Sequence, residues 1–181
     1  MPERKEKKEI RAGYTILVFD TNSLVSHLDL FKTILDWGCW QIVIPLIVIN
    51  ELDGLKVNPA PLGPTAAEAI RVVDAALTAR KLRVVTQQGN MLTSLAIRSQ
   101  ILVGADTEDG AGNIDAFIIE TVRGQAERHS GRDRGVEKAV LVTGDKSMRV
   151  IASARGVMAL TAPQLRKELE KTQPSEQGKK S

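Results

Sequence analysis

Short apolar runs alternate with helical patterns of apolar residues along most of the chain. The run at 15–19 (TILVF) has high strand propensity and leads directly into the carboxylate of Asp20. Because the run is apolar on both faces, it is typical of a central strand buried in a parallel sheet. Four further short runs predict strands, at 41–44, 83–86, 139–143 and 157–160.

Apolar residues also recur at the three- and four-residue spacing of amphipathic helices. The predicted helices cover 22–36, 46–56, 65–81, 113–127, 146–154 and 162–171. The connections are a proline-rich loop at 57–64, a segment with at most one short helix at 87–98, an acidic loop at 104–112 and an exposed polar loop at 128–137. Strands that alternate with helices predict an α/β fold, a three-layer α/β/α arrangement around a Rossmann-like parallel sheet of about five strands.

The length of 181 residues is that of one domain with short tails. The predicted domain covers 13–172. A charged tail or linker is expected at 1–12, and the composition of 173–181 is typical of a disordered tail.

Composition limits the cellular compartments and the kinds of binding partner that we expect for this protein. The net charge of +3 and the pI near 9.1 favour polyanions, while an aromatic content of 3% favours contacts to phosphates over base stacking. The single cysteine, Cys39, excludes an intrachain disulfide framework and a cysteine-rich zinc site. No apolar run is long enough to span a bilayer, and the first residues lack the apolar core of a secretory signal. We therefore expect no membrane contact and a reducing compartment, the cytoplasm or the nucleus.

Four carboxylates fall at positions that chemistry favours in such a fold. Asp20 and Asp145 each follow a predicted strand, and ligands of α/β sheets bind at the carboxyl ends of strands. Glu51 borders the apolar face of its helix, and Asp115 falls inside the apolar face of another. Each also has a purely structural interpretation. Asp20 and Asp145 suit helix N-caps, Asp115 suits a first helical turn, and Glu51 suits a boundary residue that reaches solvent.

These acids are expected to share one small pocket, because strand ends and first turns of adjacent units meet at the same edge of the sheet. Four negative charges at that distance repel by kilocalories per mole at reduced dielectric. The strand-end motifs contain one basic residue, Lys146, so a divalent cation is the natural counter-charge. Oxygen ligands alone select a hard ion, Mg²⁺ or Mn²⁺.

The same segments resemble the PIN domain, a family of metal-dependent ribonucleases. The matching pieces are FDTN at 19–22, NELD at 50–53, NIDAFI at 113–118 and TGDK at 143–146. The run IPLIVINELDGL at 44–55, LAIRS at 95–99, and the order of Thr143, Asp145 and Arg149 resemble in particular the branch that is associated with telomerase and acts in nonsense-mediated mRNA decay. The resemblance covers 14–165. In that branch the domain lies in a much larger protein.

The resemblance implies hydrolysis of internal phosphodiester bonds of single-stranded RNA, which leaves a 5′-phosphate and a 3′-hydroxyl. The implied catalytic residues, which would hold one or two Mg²⁺ or Mn²⁺ ions, are Asp20, Glu51, Asp115 and Asp145. One ion would activate a water molecule and a second would stabilise the leaving oxygen. Gly144 stands where relatives often carry a second acid, which argues against an auxiliary metal or proton-transfer role at that position.

Four further residues are predicted around these acids. Asn22 and Thr143 are expected to orient the carboxylates. Lys146 and Arg149, beside Asp145, are expected to position RNA phosphates, with a solvated helix face as the alternative.

A second hypothesis is a catalytically silent RNA-binding or scaffold module that keeps its acids for structure. Two other strand-end chemistries fit less well. A phospho-acceptor receiver domain needs paired acids at its first strand, and a dinucleotide-binding domain needs a glycine-rich turn there.

Overall fold

The structure, a computed structural model, describes residues 8–86, 88–95 and 114–172. Its centre is a six-stranded sheet with the strand order β4-β3-β2-β1-β5-β6. Neighbouring strands are parallel except for β3 and β4, which are antiparallel. The strands are β1 Ile16–Phe19, β2 Gln41–Pro45, β3 Arg83–Val85, β4 Met91–Leu92, β5 Ala139–Val142 and β6 Met158–Leu160.

Helices flank this sheet, so the predicted three-layer α/β/α fold is confirmed. Within the described ranges they are α1 Thr21–Ser26, α2 Leu28–Trp37, α3 Leu46–Leu55, α4 Leu62–Thr78, α5 Ile114–Glu127, α6 Lys146–Ala154 and α7 Ala162–Thr172. In these parts of the chain, no helix has the length and apolar character needed to cross a membrane.

The strands that precede Asp20 and Asp145 are buried along their whole length. Every residue of β1 and of β5 is buried, as expected of strands that helices cover on both faces. Removing one large aliphatic side chain of this kind from water stabilises a fold by about 1.5–3 kcal/mol. The continuous apolar runs therefore hold the strand ends, and the acids that follow them, in one rigid frame.

The single helix predicted at 22–36 is wrong, because the structure divides it into α1 and α2 at His27. The backbone of His27 leaves the helical region, with φ −135° and ψ 41°. The helical spacing of Leu24, Leu28 and Phe31 continues across this break, so periodicity alone does not reveal it.

The loop predicted at 57–64 also extends too far, since α4 begins at Leu62. Pro64 lies in the first turn of that helix, where a backbone N–H has no helical partner to lose.

The prediction of about five strands in a purely parallel sheet needs one correction. The two-residue strand β4 lies inside the predicted connection 87–98 and adds an antiparallel edge. Two residues are too few to show a periodicity. The predicted tails at 1–7 and 173–181, the acidic loop at 104–112 and the helix start at Asn113 lie outside the described residues.

The first described residues pack against the domain. Glu9 forms a parallel bridge with Val136, and Ile10 is buried in the core. The predicted tail at 1–12 thus ends in residues with tertiary contacts. The segment 128–137, predicted to be an exposed loop, supplies the buried side chain of Val136 and is exposed only in part.

Candidate active site

The topology places two of the predicted acids at the point where the sheet changes direction. The chain leaves β1 for β2 on one side and later returns to the other side of β1 as β5. Ligands of parallel sheets bind outside the carboxyl ends of strands at such a point. Asp20 directly follows β1, and Asp145 lies three residues beyond the end of β5.

Asp20 is held by two hydrogen bonds. Its side chain is almost completely buried, its Oδ1 accepts from the backbone N–H of Ser23 at 2.8 Å, and its Oδ2 accepts from the hydroxyl of Thr143. The Thr143 hydroxyl also accepts from the backbone N–H of Asp145 at 3.1 Å. One buried hydroxyl therefore links the two strand-end segments.

Asp145 is more open than Asp20. It caps α6, with Oδ1 accepting from the backbone N–H of Met148 at 3.1 Å, and the residue is exposed. Asp20 caps α1 in the same way. The N-cap interpretation and the pocket interpretation thus hold together, since both residues cap a helix and line the same cavity.

Glu51 reaches this cavity from α3. It is half-buried, and its Oε1 accepts from the hydroxyl of Thr21 at 2.8 Å. Burial raises the pKa of Glu51, the hydrogen bond from Thr21 opposes that rise, and the charges of Asp20 and Asp115 add to it.

Asp115 reaches the cavity from the first turn of α5. Burial is the main cause of its raised pKa, and the nearby charges of Asp145 and Asp20 raise it further. Burial is thus the main reason that the pKa of both residues is raised, and the charges of the neighbouring acids add to it.

All four predicted acids line one cavity of about 310 Å³. The other lining residues are polar or apolar and carry no positive charge: Thr21, Asn22, Val25, Leu55, Leu62, Ile118 and Met148. Among the ion pairs of the described residues, none involves any of the four carboxylates. Among the described residues, nothing therefore compensates the negative charge of this cavity.

The donor set fits a hard divalent cation, because carboxylate oxygens are the ligands that Mg²⁺ and Mn²⁺ prefer. Their arrangement is wider than a closed coordination sphere. In the described part of the chain, no three or more His, Cys, Asp or Glu side chains are grouped so as to hold one metal ion.

The four supporting residues predicted from the sequence lie around the cavity in different ways. Thr143 contacts Asp20 and the backbone of Asp145, as described above. Asn22 lines the cavity, but its Oδ1 accepts from the hydroxyl of Ser26 at 2.8 Å.

Neither Lys146 nor Arg149 is among the described residues that line the cavity. Lys146 is exposed at the start of α6, and Arg149 donates from Nη1 to the carbonyl of Thr143 at 3.4 Å. Both remain close to Asp145 in the chain, and their contact with RNA stays a prediction.

Sequence reasoning missed Thr21 and the apolar wall of the cavity. The side chain of Thr21 meets a partner 30 residues away, so only the fold reveals the bond. Its position directly after a strand-end acid is the one local signal. The wall residues Val25, Leu55 and Ile118 have the spacing of ordinary core residues and carry no signal of their own.

The comparisons with known proteins agree with this fold and define the class. The sequence model of the PIN domain family matches residues 17–162. This chain belongs to the PIN domain family.

One relative is the telomerase-binding protein EST1A of Danio rerio, which is 30% identical over 178 residues. That alignment covers 86% of this chain and 11% of EST1A, so the chain spans a small part of that relative.

Two solved structures are similar in fold. A domain of a functionally unknown protein from Methanocaldococcus jannaschii DSM 2661 gives a TM-score of 0.51 at 20% identity, over 82% of this chain and 90% of that one. The PIN domain of human SMG5 gives a TM-score of 0.47 at 20% identity, over 86% of this chain and 98% of that one. At this identity, the first of these likenesses supports the fold alone.

Proposed function

We propose that this domain is a divalent-cation-dependent endoribonuclease that hydrolyses internal phosphodiester bonds of single-stranded RNA. The observation that supports it best is the convergence of four carboxylates from four separate segments on one cavity, whose described lining residues include no Lys, Arg or His. Mutual repulsion of this kind destabilises the folded state, and it is typical of active sites in which the acidic side chains bind a cation. Membership of the PIN domain family supports the same chemistry.

In this proposal Asp20, Glu51, Asp115 and Asp145 hold one or two Mg²⁺ or Mn²⁺ ions. When bound, the metal supplies Lewis-acid activation of water and neutralises charge on the phosphodiester. The chain's own contribution is orientation. The hydroxyl of Thr143 fixes the Asp20 carboxylate, and that of Thr21 fixes Glu51.

The remaining residues around the cavity control its environment. The side chains of Val25, Leu55 and Met148 belong to an apolar wall that lowers the local dielectric and so strengthens the attraction between the carboxylates and a bound cation. Outside the wall, Lys146 and Arg149 contact the flanking phosphates of the RNA strand.

The likeness to EST1A extends the proposal to the biological setting. We infer that the domain works within a larger protein, in nonsense-mediated mRNA decay, in the cytoplasm or the nucleus. A link to telomerase is stated in the name of that relative.

The substitution Asp20→Asn tests the catalytic assignment. Asparagine keeps the volume and the N-cap but removes the charge, so we expect loss of RNA cleavage by a folded protein. Asp74→Asn, at an exposed site on α4, is the matched control and should cleave like the wild type. Cleavage is measured with a labelled single-stranded RNA in Mn²⁺, with EDTA as the blank. Undiminished cleavage by highly purified Asp20→Asn would remove the assignment.

A catalytically silent RNA-binding module is the second candidate. One observation favours it, namely that the described acids are not already grouped around a single point. The same assay separates the two functions. A silent module binds RNA equally in EDTA and in Mn²⁺ and cleaves it in neither.

A further inference from the structure

A second cavity lies at the opposite end of the sheet from the acids. Its volume is about 540 Å³, and the first residues of three adjacent strands, Ile16, Gln41 and Arg83, line it. Strand β1 has four residues, so the two cavities are separated by roughly 13 Å of strand at about 3.3 Å per residue. The acidic cavity is at the carboxyl end of β1, and this one is at its amino end.

The charge of this second cavity is opposite to that of the first. Arg83 and Arg128 line it, and no Asp or Glu is among the described residues of its wall. The guanidinium of Arg83 has no hydrogen-bond or ion-pair partner in residues 8–86, 88–95 and 114–172. Partial burial lowers the pKa of Arg83, because desolvation disfavours the charged guanidinium. No acid among the described residues compensates for this desolvation.

Arg128 is fixed in place by backbone. Its Nη2 donates to the carbonyl of Gln88 at 3.1 Å, and its guanidinium lies against Gly89 and Gly124. A Cβ at Gly89 would come within 2.5 Å of the guanidinium, and one at Gly124 within 2.8 Å of it. Gly89 also has a φ of 85°, which other residues rarely adopt. The two glycines thus leave room for the guanidinium of Arg128 at the cavity wall.

Gln125 is the observation that points to a ligand. It lines the cavity from α5 and is only 5% exposed, yet its side-chain amide has no hydrogen-bond partner among the described residues. The amide is open to the cavity and not enclosed by protein, since the fully buried unpaired side-chain atom of the described residues belongs to Asn50. A carboxamide without a partner presents both a donor and an acceptor to whatever fills the cavity.

An aromatic surface completes the wall. The ring of Tyr14 packs on that of His129 with centroids 4.5 Å apart. The His129 ring is itself fixed, because its Nε2 bonds to the carbonyl of Tyr14 at 2.7 Å and its Nδ1 accepts from the backbone of Gly131 at 2.8 Å. Met91, which is 64% exposed, adds a flexible apolar side chain at β4.

We propose that this cavity binds one nucleotide unit, with the phosphate between Arg83 and Arg128 and the base against Tyr14 and the amide of Gln125. Guanidinium groups match phosphate oxygens, an aromatic ring accepts the face of any base, and a carboxamide can pair with a base edge. An acidic peptide would use the guanidiniums alone. The unit belongs either to a free nucleotide or to a strand of single-stranded RNA, and the binding does not depend on cleavage at the acidic cavity.

The test is a titration of the ¹⁵N-labelled full chain, followed by ¹H–¹⁵N correlation spectra in EDTA. The probes are AMP, UMP, uridine and inorganic phosphate. We expect the Gln125 side-chain amide and the Gly89 backbone amide to shift with AMP and UMP, and less with uridine or phosphate alone. Because EDTA prevents metal-dependent cleavage, this result is independent of the proposed nuclease activity.

Two variants and one control assign the contacts. Arg83→Gln should weaken binding of AMP and UMP about tenfold, the usual effect of losing a charged hydrogen bond. Gln125→Leu keeps the volume and should weaken the nucleotides but leave inorganic phosphate unchanged. Arg166→Gln removes the same charge from the exposed face of α7 and should bind like the wild type. Circular dichroism and the melting temperature show whether each variant is folded.

An RNA octamer then separates the two sources of the nucleotide. If the unit is part of a strand, the octamer binds more tightly than AMP or UMP, and Arg83→Gln lowers the slope of log affinity against log salt by about 0.7. Equal affinity for AMP or UMP and for the octamer identifies a free nucleotide. Three results would overturn the proposal: no shift at Gln125, equal binding by Arg83→Gln and the wild type, or tighter binding of an oligoglutamate peptide than of any nucleotide.

Discussion

Asp20 and Asp115 bring the same charge into one cavity, but the protein holds them differently. Asp20 accepts hydrogen bonds from Ser23 and Thr143, which compensate for the burial of its side chain. Asp115 has no such bond from any described residue, and burial and the neighbouring charges raise its pKa. The two carboxylates therefore differ in their contribution to the free energy of unfolding.

Asp115→Asn is expected to stabilise the metal-free protein while it removes RNA cleavage. Loss of a partly buried charge that its neighbours repel should raise the free energy of unfolding by ~1 kcal/mol after solvent screening, or roughly 2–4 °C in Tm for a domain of this size. Asp20→Asn should have the opposite effect, because it weakens two hydrogen bonds. Thermal unfolding in EDTA measures both.

The stabilisation by Asp115→Asn should also depend on pH. A folded pKa above the unfolded value means that the folded state binds protons more tightly, so the penalty of the charge is present above the folded pKa and vanishes as the pH falls below it. We expect the difference in Tm between Asp115→Asn and the wild type to be largest near pH 7 and to shrink as the solution is made acidic. A difference that is constant with pH would show that the ionised Asp115 carboxylate is not its cause.

At the level of secondary-structure elements, the sequence predicts most of the site because the acids lie at fixed points of strong patterns. The run before Asp20 and the run before Asp145 are each buried on both faces, so their ends could be located without a structure. The break at His27 could not be predicted from the sequence, since the apolar spacing continues through it. The hydrogen bond between Thr21 and Glu51 could not be predicted either, because it depends on how α1 packs against α3.

Two glycines allow a matched test of backbone conformation, one at the end of a helix and one inside a helix. Gly38 closes α2 with a left-handed φ of 68°, and a Cβ there would meet nothing within 4 Å. Gly38→Ala should therefore lose ~1 kcal/mol through backbone conformation alone. A Cβ at Gly54, inside α3, also meets nothing, but the backbone there is helical. Gly54→Ala should gain about 0.5 kcal/mol. Urea unfolding measures both, and a loss of stability in both variants would contradict this explanation.

For the whole molecule, the sheet separates two opposite charges. The acidic cavity lies beyond the last residues of β1 and β5, whereas Arg83 begins β3 and Arg128 follows α5. Strand-end acids are a known pattern, so the first cavity could be predicted from the sequence. The second cavity could not, because its residues come from distant segments and each looks like an ordinary surface or loop residue.

This separation allows metal binding to be tested through the stability of the whole domain, without a cleavage assay. A ligand at a hundred times its Kd stabilises the folded state by about 2.7 kcal/mol, which corresponds to roughly 5–10 °C in Tm here. We expect Mn²⁺ to raise the Tm of the wild type and of Asp74→Asn by such an amount. The rise should be much smaller for Asp115→Asn, because one of the four carboxylates that line the cavity is neutral.

Potassium chloride at equal ionic strength is the control, since it screens the repulsion of the acids without entering a coordination sphere. If Mn²⁺ and potassium chloride have the same effect, the acids attract cations only as a diffuse cloud. Asp20, Glu51 and Asp145 would then serve the fold as caps and hydrogen-bond acceptors, and the silent module would account for the domain better than the nuclease does.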